Sequence, residues 1–136
     1  MVRVIMDDTG SGKTKQLIDL ANAAVQTEHG NVICIEPKKE LMYDIDYNIR
    51  LIATNEYTLP TYEVFQGFLS GIYAGNYDIT HIFIDNLTKI IRCDNEEQVE
   101  RFLDWLENFS ERNRIKFTIT MSAKAHLAAD GIKKYT

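Results

Sequence analysis

No apolar run in this sequence approaches the roughly 20 residues that a helix needs to cross a bilayer. The first such run, Val2 to Met6, is also too short for the apolar region of a secretory signal. Cysteine is scarce: Cys34 and Cys93 offer neither a disulfide framework nor metal-ligand spacing. Positive charge is in deficit as well. Against 20 Asp and Glu stand 15 Lys and Arg, a formal charge of −5, and non-specific nucleic-acid binding normally needs a basic face. Repeats, low-complexity tracts and linkers are missing too, so the 136 residues read as one domain, 1–136. These absences predict a cytoplasmic chain whose partner is neither a membrane nor a nucleic acid.

What is present begins with Asp7-Asp8-Thr9-Gly10-Ser11-Gly12-Lys13-Thr14, directly after that apolar run and ahead of a helix-like stretch. Strand, glycine-rich loop and helix in this order are the setting of the phosphate-binding loop G-x-x-x-x-G-K-[ST]. Its glycines let backbone N–H groups turn inward toward phosphate oxygens. The helix N-terminus adds unpaired donors and the positive end of its dipole. Thr9, Gly10, Ser11, Gly12, Lys13, Thr14 and Lys15 are the expected nucleotide contacts. Lys13 would be the cation on the β- and γ-phosphates, and the Thr14 hydroxyl a ligand to Mg²⁺. One position departs from the pattern, because Asp7 stands in place of the first glycine. With Asp8 it puts two carboxylates close to a polyphosphate, which they repel if both face inward. The competing reading is a Gly-Ser turn at a helix start, with Thr9 or Ser11 as its N-cap.

Alternating strand and helix signals predict an α/β fold, a three-layer αβα sandwich with a mostly parallel sheet. Strands are expected at Val2 to Met6, Val32 to Ile35, Ile79 to Asp85 and Lys116 to Met121. A helix from about Gly12 to Glu28 carries the apolar stripe Leu17, Ile18, Ala21, Ala24 and Val25, and His29-Gly30-Asn31 stops it. A second, Tyr62 to Tyr73, is broken by Gly67 and Gly71, small residues of the kind that allow close packing on a sheet. The third, Asn95 to Phe109, turns Val99, Phe102, Leu103, Leu106 and Phe109 inward and has an acidic start. Between Lys38 and Tyr57 only a helical turn at Leu41-Met42-Tyr43 and a short strand, Asn48 to Ala53, are legible. Asp44, Asp46 and Asn48 lack the glycine and the distal glutamate of a calcium loop. The tail from Ala123 reads as a small-residue helix followed by a short edge strand, Ile132 to Tyr135.

A second motif supports the first. His81-Ile82-Phe83-Ile84-Asp85 is a buried strand ending in one aspartate, the Walker B form, and ligands of such folds bind at the carboxyl ends of parallel strands. Asp85 would accept from magnesium-bound water opposite Lys13 and Thr14; its competing role is a helix N-cap for Leu87 onward. The following residue is Asn86, whose amide cannot serve as the general base that a glutamate supplies in many ATPases. Glu36, at the end of the second strand, is the candidate substitute, against the plainer reading of a solvated strand-end carboxylate. Ser122, after the last strand, is either a sensor of the γ-phosphate or a cap for the helix at Ala123.

On these residues the chain resembles the P-loop NTPase superfamily, in its RecA-like group. It is most similar to short, uncharacterised bacterial ATP-binding proteins, through the loop Gly10 to Leu17 and the stretch Ala74 to Thr80 ahead of the Walker B strand. The resemblance implies the P-loop NTPase fold, Mg²⁺ with ATP as cofactor and ligand, and a strand after residue 115 lying between the P-loop and Walker B strands. In the RecA-like group a glutamate from a strand end in the region of Glu36 orients the attacking water. The leading expectation is a small ATP-binding protein with slow hydrolysis, Lys13, Glu36 and Asp85 being its catalytic residues and Thr14 and Asp85 its metal ligands. An arginine finger from Arg101, Arg112 or Arg114 would need an assembly, a homo-oligomer or a protein partner. Two other classes stay open. One is a small phosphotransferase of the nucleoside-kinase kind, although lid arginines and zinc-knuckle cysteines are missing. The other is a non-catalytic interaction module, with Tyr43, Tyr47, Tyr57 and Tyr62 as its exposed aromatic surface.

Overall fold

The computed structural model describes residues 1–7, 11–122 and 130–136, and of Asp7 and Ser11 the backbone alone. Five strands, β1 (Val2–Asp7), β2 (Asn31–Glu36), β3 (Arg50–Ala53), β4 (Ile79–Ile84) and β5 (Lys116–Ser122), form one sheet. Its order is β1-β5-β4-β2-β3, and every neighbouring pair is parallel. β5 therefore lies between β1 and β4. Val32 to Ile35 of β2 and Ile82 to Ile84 of β4 are continuous apolar runs because both faces of a parallel sheet are covered, while Arg3 interrupts β1 and Thr118 and Thr120 interrupt β5.

Helix α1 (Ser11–Thr27) covers one face, setting Leu17, Ala21 and Ala24 against Val32, Cys34 and Phe83. Leu41, Ile45 and Ile49, from the segment between β2 and β3, complete that layer. Asn22 clamps the segment to α1. Its Nδ2 donates to the Asp44 carbonyl at 3.0 Å, and its Oδ1 accepts from the Asp46 amide at 2.8 Å. On the opposite face lie α2 (Tyr62–Gly75), the short α3 (Leu87–Ile91), α4 (Glu96–Asn113) and Ile132 of α5 (Asp130–Lys133). The result is three layers. Val99, Phe102, Leu103, Leu106 and Phe109 of α4 are all buried, as the spacing predicts. At about 1.5–3 kcal/mol for each large side chain, this burial far outweighs the intrinsic helix propensity of α4. Asn95 caps the helix by accepting from the Gln98 amide at 3.0 Å.

Several expectations are corrected. Helix α2 runs unbroken through Gly67 and Gly71, and a Cβ added at either would meet nothing within 4 Å. These glycines therefore do not mediate close packing. Gly30 lies beyond the end of α1, and its role is a close approach: a Cβ there would collide with the Asp78 carbonyl oxygen and with Thr80. Ile132 to Tyr135 is no strand, since Asp130–Lys133 is a helical turn that buries Ile132. Tyr62 is not an exposed aromatic either. It is 2% exposed, with its hydroxyl donating to the Cys93 carbonyl at 2.5 Å. The proposed helix at Ala123 lies outside the described residues, as do Asp8, Thr9 and Gly10.

Candidate functional site

Side chains alternate along a strand, so Glu36, Asp85 and Thr120 share one end and one face of the sheet. Register makes them neighbours. Ile35 pairs with Ile84 and Ile84 with Ile119, and the Asp85 amide donates to the Ile35 carbonyl at 2.8 Å. One residue further on, Glu36, Asp85 and Thr120 stand side by side on β2, β4 and β5.

Asp85 is the hub. It is 4% exposed, and its carboxylate accepts from the Thr14 hydroxyl at 3.2 Å (Oδ1) and 3.4 Å (Oδ2). Thr120 donates to Asp85 Oδ1 at 2.7 Å, and the Asn86 side-chain amide donates to Oδ2 at 3.2 Å. The same Thr120 hydroxyl accepts from the Asn86 backbone amide at 2.9 Å. Asn86 sits at a φ of 58°, a left-handed conformation that asparagine tolerates better than most residues. Asn86 is also the residue preceding α3, so the capping role considered for Asp85 falls away. Its carboxylate is spent on Thr14 and Thr120 instead.

Lys13 is 4% exposed in the first turn of α1, beside Thr14 in sequence, while Gly12 is exposed. Lys15 stands apart from this cluster: its side chain is 78% exposed and its Nζ pairs with Asp19 at 3.2 Å. Ser122 ends β5, half-buried, in register with Asp7 of β1. Thr9 and Gly10 are outside the described residues, and so is the Ser11 side chain.

The residue that sequence reasoning missed is Thr120. Its signal was available: Thr118, Thr120 and Ser122 form a period-two polar stripe on a strand covered on both faces. Buried hydroxyls in such a stripe need partners. Thr118 finds His81 Nε2 at 2.9 Å, and Thr120 finds Asp85.

Glu36 is not a solvated strand-end carboxylate, being 1% exposed. Its Oε1 accepts from the backbone amides of Glu40 at 2.9 Å and Leu41 at 3.2 Å. Its Oε2 is buried without a hydrogen-bond partner among the described residues. Burial raises the proton affinity of this carboxyl, the two amides oppose the rise, and the charge of Asp85 reinforces it. Both acids line a cavity of about 790 Å³ at the carboxyl ends of β2 and β4. Its other walls come from residues 37, 38 and 40, from 54, 55 and 57–60, and from 86 and 89–92. Beneath them Cys34 is fully buried, and burial pushes its thiol well up, so it supplies no thiolate.

The chain matches no protein-family model and no curated protein. Among the described residues, no helix is long and apolar enough to cross a membrane, and no group of three or more His, Cys, Asp or Glu is placed to hold a metal. A Mg²⁺ ion bound through one or two protein oxygens, with phosphate and water completing its shell, does not require such a group. The Thr14 hydroxyl and the Asp85 carboxylate, already in contact, are an oxygen pair of that kind.

Proposed function

We propose that the chain is a P-loop protein that binds Mg²⁺ with a nucleoside triphosphate, ATP being the expected ligand, and hydrolyses it slowly. The observation that carries this reading is the bond between Thr14, at the start of the helix after the glycine-rich loop, and Asp85, at the end of β4. Two motifs 71 residues apart in sequence meet at the carboxyl end of a parallel sheet. The strand order, with β5 between β1 and β4, supports the RecA-like grouping. Lys13 would neutralise the phosphates, Thr14 and Asp85 would hold the ion, and Thr120 would keep Asp85 in place. The ion would supply charge neutralisation at the phosphates. Glu36 would take a proton from the attacking water, a role that the Asn86 amide cannot fill.

Calorimetric titration of ATP and ADP, with and without Mg²⁺, tests the reading on the parent chain and on Lys13→Ala. Micromolar binding that depends on Lys13 is the expected result. Absence of binding in the parent overturns it. Recovery in Asp7→Gly would then assign the failure to the departure in the loop. A second reading, a non-catalytic interaction module, is favoured by Tyr43 and Tyr47, which are 92% and 93% exposed. It predicts no nucleotide binding in either the parent or Asp7→Gly.

A further inference from the structure

The cavity beside Asp85 holds, besides Glu36, groups that the nucleotide reading leaves unused. At its inner wall is Glu36, whose Oε2 is buried and unpartnered among the described residues. A buried acceptor in that state is costly, and a hydroxyl entering the cavity would satisfy it. Lys89 and Arg92 line the same cavity, both exposed and with no ion pair among the described residues. Lys38, by contrast, is tied to Glu40 at 3.2 Å. Two cations on one cavity wall, one a planar guanidinium, suit a phosphate dianion. The rest of the wall is mixed: Pro37, Leu59, Pro60, Ile90 and Ile91 are apolar, and Glu40 pairs with Lys38. Asn55 and Thr58 offer donors and acceptors there, and the Tyr57 ring, tilted by 48° against Phe68 at a centroid distance of 5.4 Å, offers a flat face. About 790 Å³ falls within the range of small-molecule pockets, roughly 300–1,000 Å³.

We infer that this cavity binds a phosphorylated polyol of the sugar-phosphate class, with its phosphate on Lys89 and Arg92 and one hydroxyl on Glu36, and that this hydroxyl accepts a phosphoryl group. The transfer half rests on the nucleotide reading of Thr14 and Asp85, with a nucleoside triphosphate as donor. The acceptor oxygen forms a bond to the γ-phosphorus while the bond from that phosphorus to the β,γ-bridging oxygen breaks. The hydroxyl proton passes to the Glu36 carboxylate, and the nucleoside diphosphate leaves with the bridging oxygen.

Two probes, ribose 5-phosphate and a nucleoside 5′-monophosphate, are titrated by calorimetry without nucleotide and again under saturating Mg-ADP. Binding of at least one probe is expected, with Kd below about 1 mM, unaffected by Mg-ADP and weakened at least about tenfold by Lys89→Ala/Arg92→Ala. The probe that binds separates a free sugar phosphate from one carried on a base. Failure of both probes, displacement by Mg-ADP, or binding indifferent to the double substitution overturns the site. Phosphorus NMR then follows ATP with the bound probe. A new phosphoester in the parent, lost at least about 100-fold in Glu36→Gln while probe binding persists, supports the acceptor role. No transfer when both ligands are bound overturns it. If ATP itself does not bind, the nucleotide reading fails, and the probe titrations still decide the cavity.

Discussion

Thr120→Val removes one hydroxyl and changes almost nothing in shape, which makes it a direct test of the Asp85 hub. The hydroxyl donates to Asp85 at 2.7 Å and accepts from the Asn86 amide at 2.9 Å, and Thr120 is fully buried. A hydrogen bond to a charged group contributes about 1.5–3 kcal/mol, and a buried donor left unpaired costs about 1–3 kcal/mol. Asp85 keeps its bonds from Thr14 and from the Asn86 side chain, and Asn86 is half-buried, so the two figures do not simply add. The expected loss is about 2–4 kcal/mol. With a urea m-value near 2 kcal/mol/M, the unfolding midpoint should fall by about 1–2 M at unchanged m. Thr120→Ser keeps the hydroxyl and loses one methyl, for about 1 kcal/mol. A valine variant within about 0.5 kcal/mol of the parent would refute the hub. So would a serine variant as unstable as the valine one, since that result assigns the role of Thr120 to its methyl group.

The other predictions concern stability away from Asp85. Gly67→Ala and Gly71→Ala should each stabilise by about 0.5–1 kcal/mol in urea unfolding, because the added Cβ meets open space on a continuous helix; destabilisation would show that the face is occupied. Gly30→Ala should cost about 1–3 kcal/mol or more, since its Cβ would collide with the Asp78 backbone, and a neutral result would contradict that close approach. Burial pushes His81 down from 6.5 to about 4, against the attraction of Glu28 at 3.8 Å, which Lys116 already neutralises at 2.8 Å. A His81 whose folded value lies below its unfolded one lets the unfolded chain bind more protons between about pH 6.5 and 4. Stability should therefore fall as pH drops through that window. His81→Gln should flatten the urea midpoint between pH 7 and pH 5, and an unchanged slope would refute the burial argument.

Much of this protein is decided by local pattern. The strands after Met1, Gly30, Asp78 and Ile115, the amphipathic stripe of α4 and the Asn95 cap follow from hydrophobic period and capping chemistry. These act over a few residues and need no knowledge of neighbours. Lys13, Thr14 and Asp85 stand out in the same way, because a glycine-rich loop and an aspartate closing an apolar strand are local signatures. The residues between β2 and β3 were opaque, because their order comes from Leu41, Ile45 and Ile49 meeting α1 and from the Asn22 clamp. Only the tertiary structure decided that Thr120 meets Asp85, across 35 residues of chain, because strand register sets which polar side chains become neighbours. It alone buried Glu36 and Tyr62 and left Gly67 and Gly71 facing open space, since residue type does not say which face another element will cover.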